Sequence, residues 1–276
     1  VEKSVRQFVR RVSLRRTKLS NTSLITRSSR IVIKVGSSSI TGVNEGQLED
    51  IVDLCVRLQE AGKQVVLVSS GAIATASPLM GLTAKPEDLA TSQALASIGQ
   101  AKLMSRYERS LARHQILPGQ VLLTVENLSD TTSSENALRA LERLLELGVL
   151  PIINENDSVA TQEIRFGDND QLAARVAGLV GADLLVLFSD IDSLYSKPPG
   201  EEGAERIIVV EPSDDLSSIQ VSGTSTGYGT GGALTKVAAA KMATAQGVEV
   251  ILTSTSNAAL IDSQQLHHTW FRAQEN

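Results

Sequence analysis

The sequence predicts an α/β protein, a three-layer α/β/α sandwich around an open, mainly parallel sheet. Two observations predict it: short runs rich in β-branched residues stop abruptly at Gly, Ser, Asn or Asp, and helical patterns follow them. The runs are apolar on both faces, as strands must be in a parallel sheet covered by helices. With 276 residues and 42% hydrophobic side chains, the chain can form one large core or two modest ones.

Ahead of the first run, residues 1–30 carry nine basic residues against one acid, Glu2, a net +8 that leaves −13 on residues 31–276. Val5, Phe8, Val9 and Val12 recur at helical spacing beneath an arginine-rich face, and Ser and Thr crowd residues 17–29. This composition is similar to an organelle transit segment; a basic extension docked on the acidic body is the alternative. The body is expected to be a single unit, residues 31–276.

Its first strand is Ile31–Val35, ended by Gly36-Ser37-Ser38-Ser39. Leu48, Ile51, Val52, Cys55 and Leu58 then keep one helical stripe facing the sheet. Val65–Val68 is the next strand, before Ser69-Ser70-Gly71. Leu138, Leu141, Leu144 and Leu145 mark a second helix, and Val149–Ile153 is a strand that runs into Asn154-Glu155-Asn156-Asp157. Gly167-Asp168-Asn169-Asp170 opens a helix through Leu172, Val176 and Leu179, and Leu184–Phe188 is a strand ending at Ser189-Asp190. Residues 196–226 read as loops around one small strand at Ile207–Val210. A helix over Ala233–Gln246 and a strand at Val248–Leu252 complete the pattern. In open α/β sheets ligands collect at the carboxyl ends of strands, which is where the small polar residues fall here.

Several function classes are excluded. The most hydrophobic region, Val176–Phe188, is interrupted by Asp183 and is far shorter than a bilayer span of about 20 residues. Nucleic acid is not an expected partner, because the net charge is −5 and aromatics are only 3%. Cys55 is the single cysteine, so neither an intrachain disulfide nor a Cys-rich metal site can form, which suits a cytoplasmic setting. None of His114, His267 and His268 follows a strand, and Ser70 lacks the G-x-S-x-G elbow, which disfavours a hydrolase. No Walker A sequence occurs. Gly227-Tyr228-Gly229-Thr230-Gly231-Gly232 fits G-x-G-x-x-G, but it follows Ser- and Asp-rich loops rather than the first strand.

Those glycines instead open a helix with Lys236 in its first turn. Free N–H groups, the positive dipole end and a lysine make an anion site. Lys34, near the end of an apolar strand and just ahead of Gly36-Ser37-Ser38, repeats the logic, since an isolated buried lysine is costly unless paired or aimed at a ligand. A snorkelling Lys34 and a merely surface-exposed Lys236 are the competing readings. One acid at Gly167–Asp170 is explained as a helix N-cap, but two acids and an amide in succession are not. With Asn154–Asp157 they suit a zwitterionic small molecule; Mg²⁺ held by one or two carboxylates plus phosphate oxygens is the alternative.

Taken in order, Lys34-Val35-Gly36-Ser37-Ser38, Val68–Ala74, Ile153–Ala160, Gly167–Asp170 and Gly229-Thr230-Gly231-Gly232 with Lys236 make the sequence resemble the glutamate 5-kinases of the amino acid kinase family, and the kinase part of the bifunctional pyrroline-carboxylate synthases. The likeness covers residues 30–255. It implies the amino acid kinase fold and transfer of the γ-phosphate of ATP, with Mg²⁺ carried mainly on the ATP phosphates, to the side-chain carboxylate of L-glutamate in proline biosynthesis. By resemblance, Lys34 and Lys236 neutralise the moving phosphoryl group while Asp170 holds both ammonium groups. Ser70, Gly71, Asn154, Asp157 and Asn169 bind glutamate. Lys34, Gly36, Ser37, Ser189, Asp190, and the loop Gly229, Thr230, Gly231, Gly232, Ala233, Leu234, Thr235 and Lys236 bind the nucleotide. The same resemblance implies a dimer or tetramer, feedback inhibition by proline, delivery of product to a glutamyl phosphate reductase, and a cytoplasmic location, or an organelle if residues 1–30 direct it there. No C-terminal RNA-binding-like module is expected. Ala76, Ser189, Ser193 and Ala233 depart from the family's usual residues without removing a charge.

The residue inventory agrees with this chemistry. A carboxylate, with a reference pKa of about 4.3, is already an anionic nucleophile at neutral pH and needs no general base. The barrier is anion meeting anion, which lysines and glycine-loop N–H groups lower. Competing readings are a family member acting on acetylglutamate, aspartate, carbamate or a nucleoside monophosphate, and a non-catalytic ligand sensor of the same fold.

Overall fold

The computed structural model describes residues 21–84, 86–159, 169–216 and 233–274. In chain order the first half runs α1 (Asn21–Arg27), β1 (Arg30–Val35), α2 (Ser37–Ile40), α3 (Gln47–Glu60), β2 (Gln64–Ser69), α4 (Ala72–Ala76), α5 (Leu89–Ala112) and β3 (Pro118–Leu123). The second half runs α6 (Val125–Ser129), α7 (Thr131–Glu146), β4 (Leu150–Glu155), α8 (Asn169–Leu179), β5 (Leu184–Ser189), β6 (Leu194–Tyr195), β7 (Arg206–Ile207), β8 (Val209–Val210), α9 (Ala233–Thr244), β9 (Glu249–Ser254) and β10 (Thr269–Phe271).

Among the described residues the main sheet has eight strands in the order β3-β4-β2-β1-β5-β9-β10-β8. All neighbours are parallel except β9 and β10. The five expected strands are all present, each built around a buried apolar stretch. Ile31, Val32 and Ile33 on β1 and Leu184 to Phe188 on β5 have no exposed surface, because helices cover both faces. β1 sits at the centre. The chain winds from it toward β2, β3 and β4 on one side and returns to β5 on the other, so the crevice beyond the carboxyl ends of β1, β2 and β5 is the switch point of the topology.

Helix α3 buries Leu48, Ile51, Val52, Cys55 and Leu58 as expected, and Leu54 and Val56 in addition. The apolar run at Ile207–Val210 divides: β7 pairs antiparallel with β6 in a separate two-stranded sheet, while β8 joins the main sheet beside β10. Ile208, between them, is 43% exposed and its carbonyl accepts the Trp270 N–H at 2.8 Å. β3 and β10 lie where no strand was expected.

The basic segment expected to end at residue 30 overlaps the body. Leu24 and Ile25 are buried in the core, Lys63 Nζ donates to the Thr26 and Ser28 carbonyls, and Arg30 begins β1 while its guanidinium pairs with Glu142. Residues 24–30 therefore pack with the body, through the buried side chains of Leu24 and Ile25 and the start of β1 at Arg30. Among the described residues no helix is long and apolar enough to cross a membrane.

Candidate active site

Three elements converge at the carboxyl end of the sheet. β1 contributes Lys34, paired in register with Val68 of β2 and Leu187 of β5. The first turn of α8 contributes Asn169 and Asp170, and the first turn of α9 contributes Thr235 and Lys236. Lys34 Nζ forms an ion pair with Asp170 Oδ1, and Lys236 Nζ lies 3.3 Å from Oδ2 of the same carboxylate. Thr235 Oγ1 lies 3.4 Å from that Oδ2. Lys34, Lys236 and Asp170 are 5%, 6% and 1% exposed, so their charges are stable here only through such pairing. Two ammonium groups this close repel, and the carboxylate between them offsets the repulsion. Burial opposes ionisation of Asp170 most strongly, but attraction to Lys34 and Lys236 and their hydrogen bonds outweigh it and hold its carboxyl below the ordinary value.

Bare backbone lies alongside. A Cβ at Gly36 would sit 3.7 Å from Lys34 Nζ, so a small residue keeps the ammonium approachable just after β1. Ser37 follows at the start of α2. Gly71 caps α4 with φ of 106°, a left-handed conformation that glycine adopts without strain.

Beside the ion triad runs a chain of amides. Asn169 Nδ2 donates to Ser70 Oγ at 2.6 Å and to Asn154 Oδ1 at 3.1 Å. Asn154 Nδ2 donates to Gln100 Oε1 at 2.8 Å, and Asn154 Oδ1 also accepts the Glu155 backbone N–H at 2.8 Å. Asn169 Oδ1 is buried with no hydrogen-bond partner among the described residues. It is a ready acceptor for a cationic donor such as an ammonium group.

The expected site residues thus fall into three groups. Lys34, Asp170, Thr235 and Lys236 meet directly, as do Ser70, Asn154 and Asn169, and Asn169 and Asp170 are adjacent on α8, which joins the two sets. Asp157 is half-buried in a 3₁₀ turn two residues beyond β4. At the end of β5, Ser189 is buried and its hydroxyl donates to Asp190 at 2.9 Å, while Asp190 is exposed. The Leu234 side chain is 71% exposed. Ala233 begins α9, whereas Gly167, Asp168, Gly229, Thr230, Gly231 and Gly232 lie outside the described residues. Gln100, on α5, was not expected: a single glutamine in a long helix carries no sequence signal. Among the described residues no group of three or more His, Cys, Asp and Glu is placed to hold a metal ion.

The sequence profile of the Amino acid kinase family matches residues 29–254. A glutamate 5-kinase of Clavibacter sepedonicus is 55% identical over 247 residues, covering 90% of this chain and 95% of that protein. The glutamate 5-kinase of Leifsonia xyli is 56% identical over 233 residues, covering 84% and 86%. That of Streptomyces coelicolor is 49% identical over 235 residues, and only 63% of its length is matched. Among solved structures, carbamate kinase from Giardia lamblia bound to AMP-PNP superposes with a TM-score of 0.63 at 13% identity, covering 90% of this chain and all of that one, which speaks for the fold alone.

Proposed function

The chain belongs to the amino acid kinase family, and from that premise we propose that it transfers the γ-phosphoryl group of ATP to the side-chain carboxylate of L-glutamate, giving L-glutamyl 5-phosphate for proline synthesis. One observation carries the mechanism: Lys34 and Lys236, from opposite ends of the chain, converge on the two oxygens of one Asp170 carboxylate. An ammonium group has three N–H donors, so two lysines held this way can also receive the oxygens of a travelling phosphoryl group. Phosphoryl transfer depends mainly on such positioning and charge stabilisation, and the acceptor carboxylate needs no base.

The amide cluster supplies the acceptor substrate's seat. Ser70, Asn154 and Asn169 are joined by hydrogen bonds, and the buried Asn169 amide oxygen fits the α-ammonium of an amino acid; Gly71, next to Ser70, and Asp157, two residues past β4, are assigned to the same seat. Gly36, Ser37, Ser189, Asp190 and the start of α9 would take the nucleotide. Mg²⁺ belongs to this reading as a passenger on the ATP phosphates, its usual mode in phosphotransferases, where it neutralises phosphate charge. The fuller reading adds a cytoplasmic homo-oligomer inhibited by proline, whose labile acyl phosphate passes to a glutamyl phosphate reductase.

The test is a panel of amino acids with ATP and Mg²⁺, trapping the acyl phosphate with hydroxylamine. Hydroxamate is expected with L-glutamate. Hydroxamate with aspartate or acetylglutamate instead would reassign the substrate, and binding of ATP and glutamate without turnover would make the protein a sensor. Titrating proline into the same assay decides the regulatory part.

A further inference from the structure

We infer that Gln100 is a positioning residue that braces the amide chain in the direction set by the Glu155 backbone N–H, and thereby holds the Asn169 oxygen aimed at the substrate's α-ammonium. The inference rests on the reading above that the substrate is an amino acid.

The direction of the chain follows from donor and acceptor rules. The Glu155 backbone N–H can only donate, so Asn154 must turn Oδ1 toward it at 2.8 Å. Asn154 Nδ2 then points the other way, to Gln100 Oε1 at 2.8 Å. With Asn154 Oδ1 committed as acceptor, Asn169 must present Nδ2 to it and to Ser70 Oγ. Asn169 Oδ1 is left facing away, buried, and without a partner among the described residues. Gln100 therefore braces an arrangement whose far end is an unsatisfied acceptor, and the residue carrying that acceptor is only 6% exposed. An ammonium donor satisfies it; a carboxylate would be repelled.

Gln100 reaches Asn154 because its neighbour is glycine. A Cβ at Gly99 would lie 1.8 Å from the Ala72 carbonyl oxygen, so α5 approaches the backbone of α4 as no other residue would allow. That approach brings Gln100 beside the strand end that carries Asn154.

Gln100→Met removes the acceptor at similar length, and Gln100→Glu keeps an acceptor oxygen. The KM for L-glutamate is expected to rise about tenfold in Q100M, with the KM for ATP within about twofold of the parent. The inhibition constant of glutarate, a dicarboxylate without the ammonium group, should stay unchanged, and Q100E should keep the glutamate KM within about threefold. An unchanged glutamate KM in Q100M, or a parallel loss toward glutarate and ATP, would overturn the assignment. If circular dichroism shows Q100M unfolded, Gln100→Leu takes its place: a raised glutamate KM with an unchanged glutarate inhibition constant supports the role, and an unchanged glutamate KM overturns it. A parent enzyme without glutamate-dependent turnover would overturn the functional reading and this one together, whereas an active parent with unaltered Q100M kinetics overturns this one alone.

Discussion

Replacing Lys236 by methionine keeps the length of the side chain and removes the charge, so the folded variant should lose at least about a hundredfold in turnover, measured as glutamate-dependent ADP release. A near-parental rate would remove Lys236 from the chemistry. Asp170 makes a different prediction, about stability. Its folded carboxyl titrates below the ordinary value of 3.8, so the unfolded chain binds the proton more readily. The stability gained from its ionisation is complete above the unfolded value and is lost as pH falls through the lower, folded one. Asp170→Asn leaves two buried ammonium groups without their shared counter-ion and should cost on the order of 3–5 kcal/mol near neutrality. In urea titrations that gap should be flat from about pH 8 to about pH 5 and narrow only below about pH 4. Lys34, Lys236 and Asp170 were legible in the sequence because a charge in an apolar strand, or acids and amides crowding a helix start, are expensive without a purpose. Gln100 was not, since glutamine is an ordinary residue in a helix and its partner Asn154 lies on a different element.

Between elements, α5 packs against the backbone of α4 at Gly99 with no room for a side chain. Gly99→Ala places a methyl group inside the normal radius of a backbone carbonyl, which cannot rotate away as a side chain could. The helices must separate, at a cost of about 3 kcal/mol or more, and Tm should fall by roughly 6–12 °C in a thermal melt. An unchanged Tm would mean that the two helices are not held that tightly. Strands β1, β2, β4, β5 and β9 are legible in the sequence because they are buried on both faces and read as mainly apolar runs, with charged exceptions such as Lys34 and Glu249. β3 has no such run-and-stop signature. It is an edge strand that opens with Pro118-Gly119-Gln120, and Gly119 is there to admit Leu144 and Val149, whose side-chain atoms would come within 2.8–3.0 Å of a Cβ. β10 is three residues long, and only its neighbours β9 and β8 make it a strand.

At the scale of the whole molecule, one hydrophobic cluster extends from Leu24 near the start to Phe271 near the end of the described residues. Trp270, the single tryptophan, is 2% exposed in β10, its Nε1 donates to Glu249 on β9 at 2.7 Å, and the Arg272 guanidinium lies over its ring. Its fluorescence should therefore report the same transition as far-UV circular dichroism, with coincident midpoints in urea; separated midpoints would show that the β8–β10 edge unfolds on its own. The layer architecture, the central strands and the identities of the charged residues are legible along the chain, because periodicity and the cost of burying charge act locally. That Asp170 holds both ammonium groups was implied by the resemblance, and the ion pairs agree with it; that Leu24 and Ile25 join the core and that Gln100 stands behind Asn154 emerged from the folded arrangement alone. Each of these depends on distances between segments remote along the chain, which are fixed by strand order and by how closely helices can approach, and no local pattern encodes them.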